Sequence, residues 1–252
     1  MPRISQREKE LNRSKILDAA SVMFRERGVD QVGIDQLMHS AGLTRGGFYN
    51  HFESKEALVA QACQRAFTET LDDLDDFLGD LPPAPPDIHP LIPISQRYLS
   101  AEHRDSPGTG CPMPALAVDI SRHTAPAQRE FAQGVEAYLR MFEGMLSPAL
   151  GDSETRDAAG TGTADAGNTG TADIGIDPLT DRGPRPARLQ AIETLTNLVG
   201  ALVLARAVRE AEPALSEEFL DVGRDTIADI AGSWCGRPST AGQTVADGLT
   251  GP

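Results

Sequence analysis

From residue 7 onward, apolar side chains recur three and four positions apart: Ile16, Leu17, Ala20, Met23 and Phe24. That period predicts a helix over 7–28, stopped by Gly28 just past its last turn. Leu37 and Met38 are the inward positions of a short second helix over 34–40. Ala41-Gly42-Leu43 forms a tight turn, and Thr44 to His51 forms a third helix starting near Leu43 or Thr44. Ser54 caps a fourth helix from Lys55 to about Leu78, with Glu56 favouring its start. Pro82-Pro83 and Pro85-Pro86 then break the chain. Helical spacing returns at about 92–103, 114–121 and 127–146, with a loop over Asp105–Gly110. Residues 187–208 are apolar on most faces, and a last helix is expected over 216–234. Aromatic content is only 5%, so core mass comes mainly from Leu, Ala, Val and Ile, which suits helices better than strands.

Two stretches fall outside this pattern. Residues 151–185 are rich in Gly, Thr, Ala and Asp and contain a near-duplication, TGTADAGN at 161–168 followed by TGTADIGI at 169–176. Such a composition cannot bury enough apolar surface to offset its ordering entropy, so a flexible insertion is expected. The register of calcium-binding repeats is absent. Residues 236–252 read as a disordered tail. The expected organisation is a head at 1–53, a helical body at 54–235 interrupted by the insertion, and the tail.

Composition changes this picture in one respect. The net charge of −14 argues against a nucleic-acid partner for the chain as a whole. Its distribution argues otherwise. Residues 1–60 hold nine Lys/Arg against eight Asp/Glu, and the remainder holds fourteen against twenty-nine. Five of the basic residues lie in the first fifteen. A basic front on an acidic body is the asymmetry that DNA binding requires. Cys63, Cys111 and Cys235 are few and widely spaced, which excludes a disulfide framework. No signal peptide is recognised, and no run of about 20 apolar residues is read as a membrane span. The expected location is cytoplasmic, with no membrane partner.

The stretch carrying the most chemistry is IDQLMHSAGLTRGGFYNHF, residues 34–52. Helix, glycine turn and helix make a helix-turn-helix. Leu37, Ala41, Leu43 and Phe48 interlock the two helices. The second helix presents Thr44, Arg45, Tyr49, Asn50 and His51 outward, at a size that enters a major groove.

Residues 16–59, ILDAASVMFRERGVDQVGIDQLMHSAGLTRGGFYNHFESKEALV, resemble the head of the TetR/AcrR family of transcriptional regulators nearly end to end. The resemblance implies an all-α fold with a three-helix DNA-binding head, a connecting fourth helix and a divergent ligand-binding body. It further implies a homodimeric repressor that leaves a palindromic operator, its double-stranded DNA partner, on an effector signal. On this reading Tyr49 and His51 contact phosphate, with Lys55 beside them. Thr44 and Arg45 face the groove, and the Arg45 fork suits either guanine or phosphate. Gly46 and Gly47 let backbone approach DNA. Where the family often places a phosphate-touching Ser or Thr before the second helix, this chain has Gly33, which removes one anchor. Arg3, Arg7 and Arg13 are expected to offset that loss. Residues 98–122 and 198–208 resemble a subgroup with a Gly-Cys-Pro segment in the body.

The effector side is less determined. Cys111 stands at a helix start behind Gly108 and Gly110, where a helix dipole lowers a thiol pKa, so an electrophile- or redox-sensing thiol and a buried core residue are both open readings. Tyr98, His103, Met113, Met141 and Phe142 suit an effector cavity and plain core alike. Leu195, Leu198 and Leu202 are expected in a four-helix dimer interface. No nucleophile elbow, phosphate loop or metal-ligand spacing is found, so no enzyme, metal or cofactor is implied.

Overall fold

The computed structural model describes residues 5–81, 88–147 and 187–234. The expected insertion at 151–185 and tail at 236–252 lie outside the described residues. Every regular element among those described is helical: α1 Gln6–Arg27, α2 Ile34–Ser40, a 3-10 helix Arg45–Asn50, α3 Lys55–Asp80, α4 Leu91–Tyr98, α5 Ala101–Asp105, α6 Pro112–Ile120, α7 Ala125–Leu146, α8 Ala187–Val208 and α9 Pro213–Trp234.

The helix starts follow local chemistry. The Ser5 hydroxyl accepts the Glu8 N–H at 3.2 Å, and the Ser54 hydroxyl accepts that of Ala57 at 3.0 Å. α1 ends where Gly28 takes φ +81°, and the turn after α2 needs φ +72° at Gly42, both conformations that favour glycine. The helix expected over 92–103 is two helices. Leu99 leaves helical geometry, and the Ser100 hydroxyl accepts the His103 N–H at 3.1 Å to start α5 afresh. The helix expected at 44–51 is a 3-10 turn, because two consecutive glycines weaken α-helical propensity there and the Gly47 N–H reaches only three residues back, to Thr44.

Two apolar clusters organise the chain. The first joins α1, α2, the 3-10 helix and the first turns of α3, with Ile16, Phe24, Leu37, Met38, Phe48 and Leu58 all buried. It continues past residue 54 and also takes in Leu116 and Ile120 of α6 and Ala127 of α7. The second packs the rest of α3 with α4 and with α7, α8 and α9, around Phe67, Leu91, Tyr138, Phe142, Leu198 and Leu202. α6 therefore lies in both, since Met113 at its start belongs to the second cluster and Leu116 and Ile120 to the first.

α8 is long and apolar enough, by length and composition, to cross a membrane, which corrects the reading that no such stretch exists. One face of it is buried through Ala191, Thr194, Leu195, Leu198, Leu202 and Ala205, against α7 and α9.

Candidate nucleic-acid interface and body cavity

The 3-10 helix is anchored by one side chain. Phe48 is fully buried, stacked on Phe52 with ring centroids 5.7 Å apart and meeting Tyr49 edge-on at 5.2 Å. With that anchor inward, Thr44, Arg45, Gly46, Tyr49 and Asn50 are all exposed, and Tyr49 keeps 71% of its surface. Arg45 reaches across to α2, where Asp35 accepts from it at 2.8 Å in a solvent-exposed pair. A Cβ at Gly46 would meet nothing within 4 Å, and one at Gly47 only the Met38 methyl at 3.6 Å. Neither position has a positive φ. Among the described residues nothing demands glycine at 46 or 47.

Of the basic or titratable groups expected at DNA, Lys55 and Arg13 are engaged elsewhere and His51 is partly buried. The Lys55 ammonium donates to the Val29 carbonyl at 2.8 Å, tying α3 to the end of α1. Arg13 donates to the His51 carbonyl and to Gln61, and covers the Phe52 ring at 4.4 Å, so its guanidinium fastens the head together. The His51 ring is half-buried with Nδ1 unpartnered. Burial, then Lys9 and Arg13, hold its pKa below the usual value, which leaves it neutral. Gly33 caps α2 without a side chain, and its own N–H donates to Gln36 at 3.3 Å.

In the body, a cavity of about 230 Å³ opens between α3, α4, α5, α7 and α8. Tyr98, His103, Cys111 and Phe142 line it; Met113 and Met141 do not. Met113 is buried core and Met141 packs on the edge of the same cluster. Leu195 and Leu198 also line the cavity, and Leu202 is fully buried. These three leucines thus face inward, not toward a dimer partner. α8 is apolar on two sides, and its period alone does not say which side the core takes. Its outward apolar residues are Leu189, Ile192, Val203 and Leu204, with Leu215 and Val222 on α9.

Cys111 is the residue before α6, as expected, but its environment opposes a thiolate. It is 4% exposed, and burial outweighs the Tyr98 hydroxyl, the Met113 N–H and Arg206, holding the thiol above its ordinary pKa. Among the described residues no free base stands beside it. His103 Nε2 accepts the Cys111 N–H at 3.0 Å, and Nδ1 therefore carries the proton it donates to the Tyr98 carbonyl at 2.7 Å. Burial holds this imidazole's pKa down to about 4. Cys63 is disfavoured as a thiolate too, its thiol pushed up to about 12 chiefly by burial. Among the described residues no group of His, Cys, Asp and Glu is placed to hold a metal.

Residues 16–62 match the family described as bacterial regulatory proteins, tetR family. The head of the chain is thus similar to the DNA-binding head of that family. The HTH-type transcriptional repressor DhaR of Mycobacterium sp. (strain GP1) is 27% identical over 131 residues, 52% of this chain and 63% of DhaR. The HTH-type transcriptional regulator YvdT of Bacillus subtilis (strain 168) is 39% identical over 67 residues, 26% of this chain and 34% of YvdT. The chain thus spans less than two thirds of the length of either relative. The crystal structure of reduced E. coli NemR shares the fold, with a TM-score of 0.61 at 17% identity over 86% of this chain and 94% of that one.

Within the chain, head and body are linked by bonds that the sequence did not reveal. Arg25 of α1, 5% exposed, donates to the Gly110 carbonyl at 2.8 Å, to the Ser21 carbonyl and hydroxyl at 3.0 Å each, and pairs with Glu69 of α3 at 3.4 Å. Burial depresses the pKa of this guanidinium, and Glu69 opposes the shift. Asp119 of α6 accepts the Val29 N–H at 2.9 Å. Asp119 is the one charge on apolar α6 and Arg25 one of many on charged α1, and only long-range geometry gives them their partners across the chain. The sequence missed Thr70, Asp73 and Tyr138 of the cavity wall for the same reason.

Proposed function

We propose that the protein is a sequence-specific DNA-binding regulator, a homodimeric repressor that works in the cytoplasm and leaves a palindromic operator when a small molecule occupies the body cavity. The observation that carries this reading is the outward surface of the 3-10 helix: a hydrogen-bonding set of Thr44, Arg45, Tyr49 and Asn50, on a segment held by buried Phe48 and bared by two glycines that nothing among the described residues requires. Exposed donors on one convex rib are what a major groove reads, and a binder of this kind needs two ribs one helical turn apart. In this reading Arg45 leaves Asp35 to grip a base or phosphate, Tyr49 contacts phosphate, and Lys55, Arg13 and His51 act by holding the rib in place.

The second rib comes from a second copy. Leu189, Ile192 and Val203 fall at helical spacing on the outward face of α8, and Gly200 between them has open space where a Cβ would stand, so a partner helix can approach closely. The buried, protonated Cys111 and the fully engaged His103 favour a noncovalent effector over an electrophile or redox signal.

Selection from random duplex DNA tests the reading. A two-fold symmetric sequence should be enriched, and its affinity should fall steeply with salt as phosphate counterions are released. Failure to enrich any sequence would overturn the proposal.

A further inference from the structure

The loop between α5 and α6, residues 106–111, has two different neighbours. On one side Ser106, Thr109, Gly110 and Cys111 line the body cavity. On the other side the loop lies against α1 of the head. A Cβ on Gly108 would come within 2.8 Å of the Glu26 side chain, and the Gly110 carbonyl accepts from Arg25 at 2.8 Å. The loop has little freedom between them. The His103 ring lies so close that a Cβ on Gly110 would stand 2.4 Å from Nε2, and both ring nitrogens are already bonded, to the Cys111 N–H and the Tyr98 carbonyl.

Arg25 has no ready substitute for that carbonyl. Its guanidinium is out of water, and its remaining partners are Ser21, one turn back on its own helix, and Glu69 at 3.4 Å. Glu69 is itself held by Arg65 at 2.8 Å. A buried donor that loses its acceptor either carries an unmet hydrogen bond or moves to find another. The other hydrogen bond described above between the head and α6, from the Val29 N–H to Asp119, ends on a residue that does not line the cavity.

We infer that Arg25 is the positioning residue through which occupancy of the cavity reaches the head: an occupant that displaces residues 106–111 withdraws the Gly110 carbonyl, and α1 shifts to satisfy Arg25. The inference rests on the proposed reading of the chain as a DNA-binding regulator, and it locates the coupling in one side-chain-to-backbone bond at the far end of α1.

The contact at Gly110 allows a test that needs no effector. Gly110→Ala pushes the loop from the cavity side, as an occupant would. Four proteins are compared on an operator selected from random DNA: the parent, Gly110→Ala, Arg25→Met and the double variant. Gly110→Ala should weaken operator binding roughly tenfold in the parent, within the range of ordinary allosteric couplings. In the Arg25→Met background the same change should matter less than about twofold, because the strut is already gone. Equal penalties in both backgrounds would overturn the inference while leaving the DNA-binding reading intact. If the parent enriches no sequence, the reading itself fails and the inference falls with it. Should Arg25→Met not fold, hydrogen exchange on the parent decides the matter. Coupling is reciprocal, so operator DNA must slow exchange at residues 106–111, and unchanged exchange there would overturn the strut.

Discussion

The head and the body use their side chains in opposite directions. In the head, apolar groups turn inward until Phe48, Leu37 and Met38 are wholly buried, and the polar groups that matter stand outside on a short rib. In the body the polar groups that matter turn inward, with Tyr98, His103, Cys111, Tyr138 and Thr70 around a cavity, while apolar side chains of α8 and α9 stand outside. A surface that meets a large charged partner must be polar and exposed. A cavity for a small molecule must be shielded, and the faces that join two copies must be apolar. On the proposed reading, an inward-facing leucine and an outward-facing one on the same body helix carry unrelated roles.

The sharpest way to break that contrast is on α8. Leu202→Glu should unfold the body, since a carboxylate would enter a site with no exposure and no partner, at about 4 kcal/mol or more. Val203→Glu, the next residue and on the outward face, should keep the body folded and yield monomers in sedimentation, with the melting temperature lowered only by the loss of the partner. If Leu202→Glu gave a folded monomer, the inward assignment of that face would be wrong.

A second comparison uses pH. The folded state holds His103 near pKa 4, against an ordinary 6.5. Between those values the unfolded chain binds the extra proton, so stability is fully present above about pH 6.5 and is lost as pH falls toward 4, by on the order of 3 kcal/mol. His103→Gln should be less stable at neutral pH and show a flatter decline over that window in denaturant titrations. An equal decline in the two proteins would assign the acid sensitivity elsewhere.

Smaller effects are expected on the head. Arg45→Ala should cost about 1–3 kcal/mol at one base pair per half-site and relax preference there, whereas Tyr49→Phe should weaken all sequences alike. Selection from random DNA with each variant separates these outcomes, and an unchanged preference in Arg45→Ala would assign Arg45 to phosphate. The smallest effect belongs to Asp35. Its exposed pair with Arg45 is worth less than about 1 kcal/mol, so Asp35→Asn should tighten DNA binding by a few-fold at most while leaving the melting temperature unchanged.

What the sequence made legible follows the same division. The head was readable because its function lies in a local stretch: a glycine turn, an inward Phe48 and an outward Arg45 fall within a dozen residues, where spacing fixes direction. Nearly every helix was placed to within a few residues for the same reason. The misses are of two kinds. Consecutive Gly46 and Gly47 turned an expected α-helix into a 3-10 turn, and the Ser100 hydroxyl split one expected helix into two. The others are long-range. Leu195, Leu198 and Leu202 have the same period whether they face a partner or their own core. Cys111 stands at the helix start that would lower its pKa, yet burial decides the outcome, against the Tyr98 and Tyr138 hydroxyls. Lys55 is a phosphate ligand by position and a backbone clamp by geometry. No pattern along the chain distinguishes such alternatives, because the deciding partner lies tens of residues away.

α6 contributes its first residues to the body's core and its later ones to the head's. For anyone building chimeric sensors, a splice at the end of the DNA reader, near residue 54, would strand Leu116 and Ile120 from the surface they complete. A transplant of this reader onto a foreign body must bring a compatible α6 with it or redesign the patch that α6 covers. The portable unit is a discontinuous one, a head plus one short helix from sixty residues further along the chain.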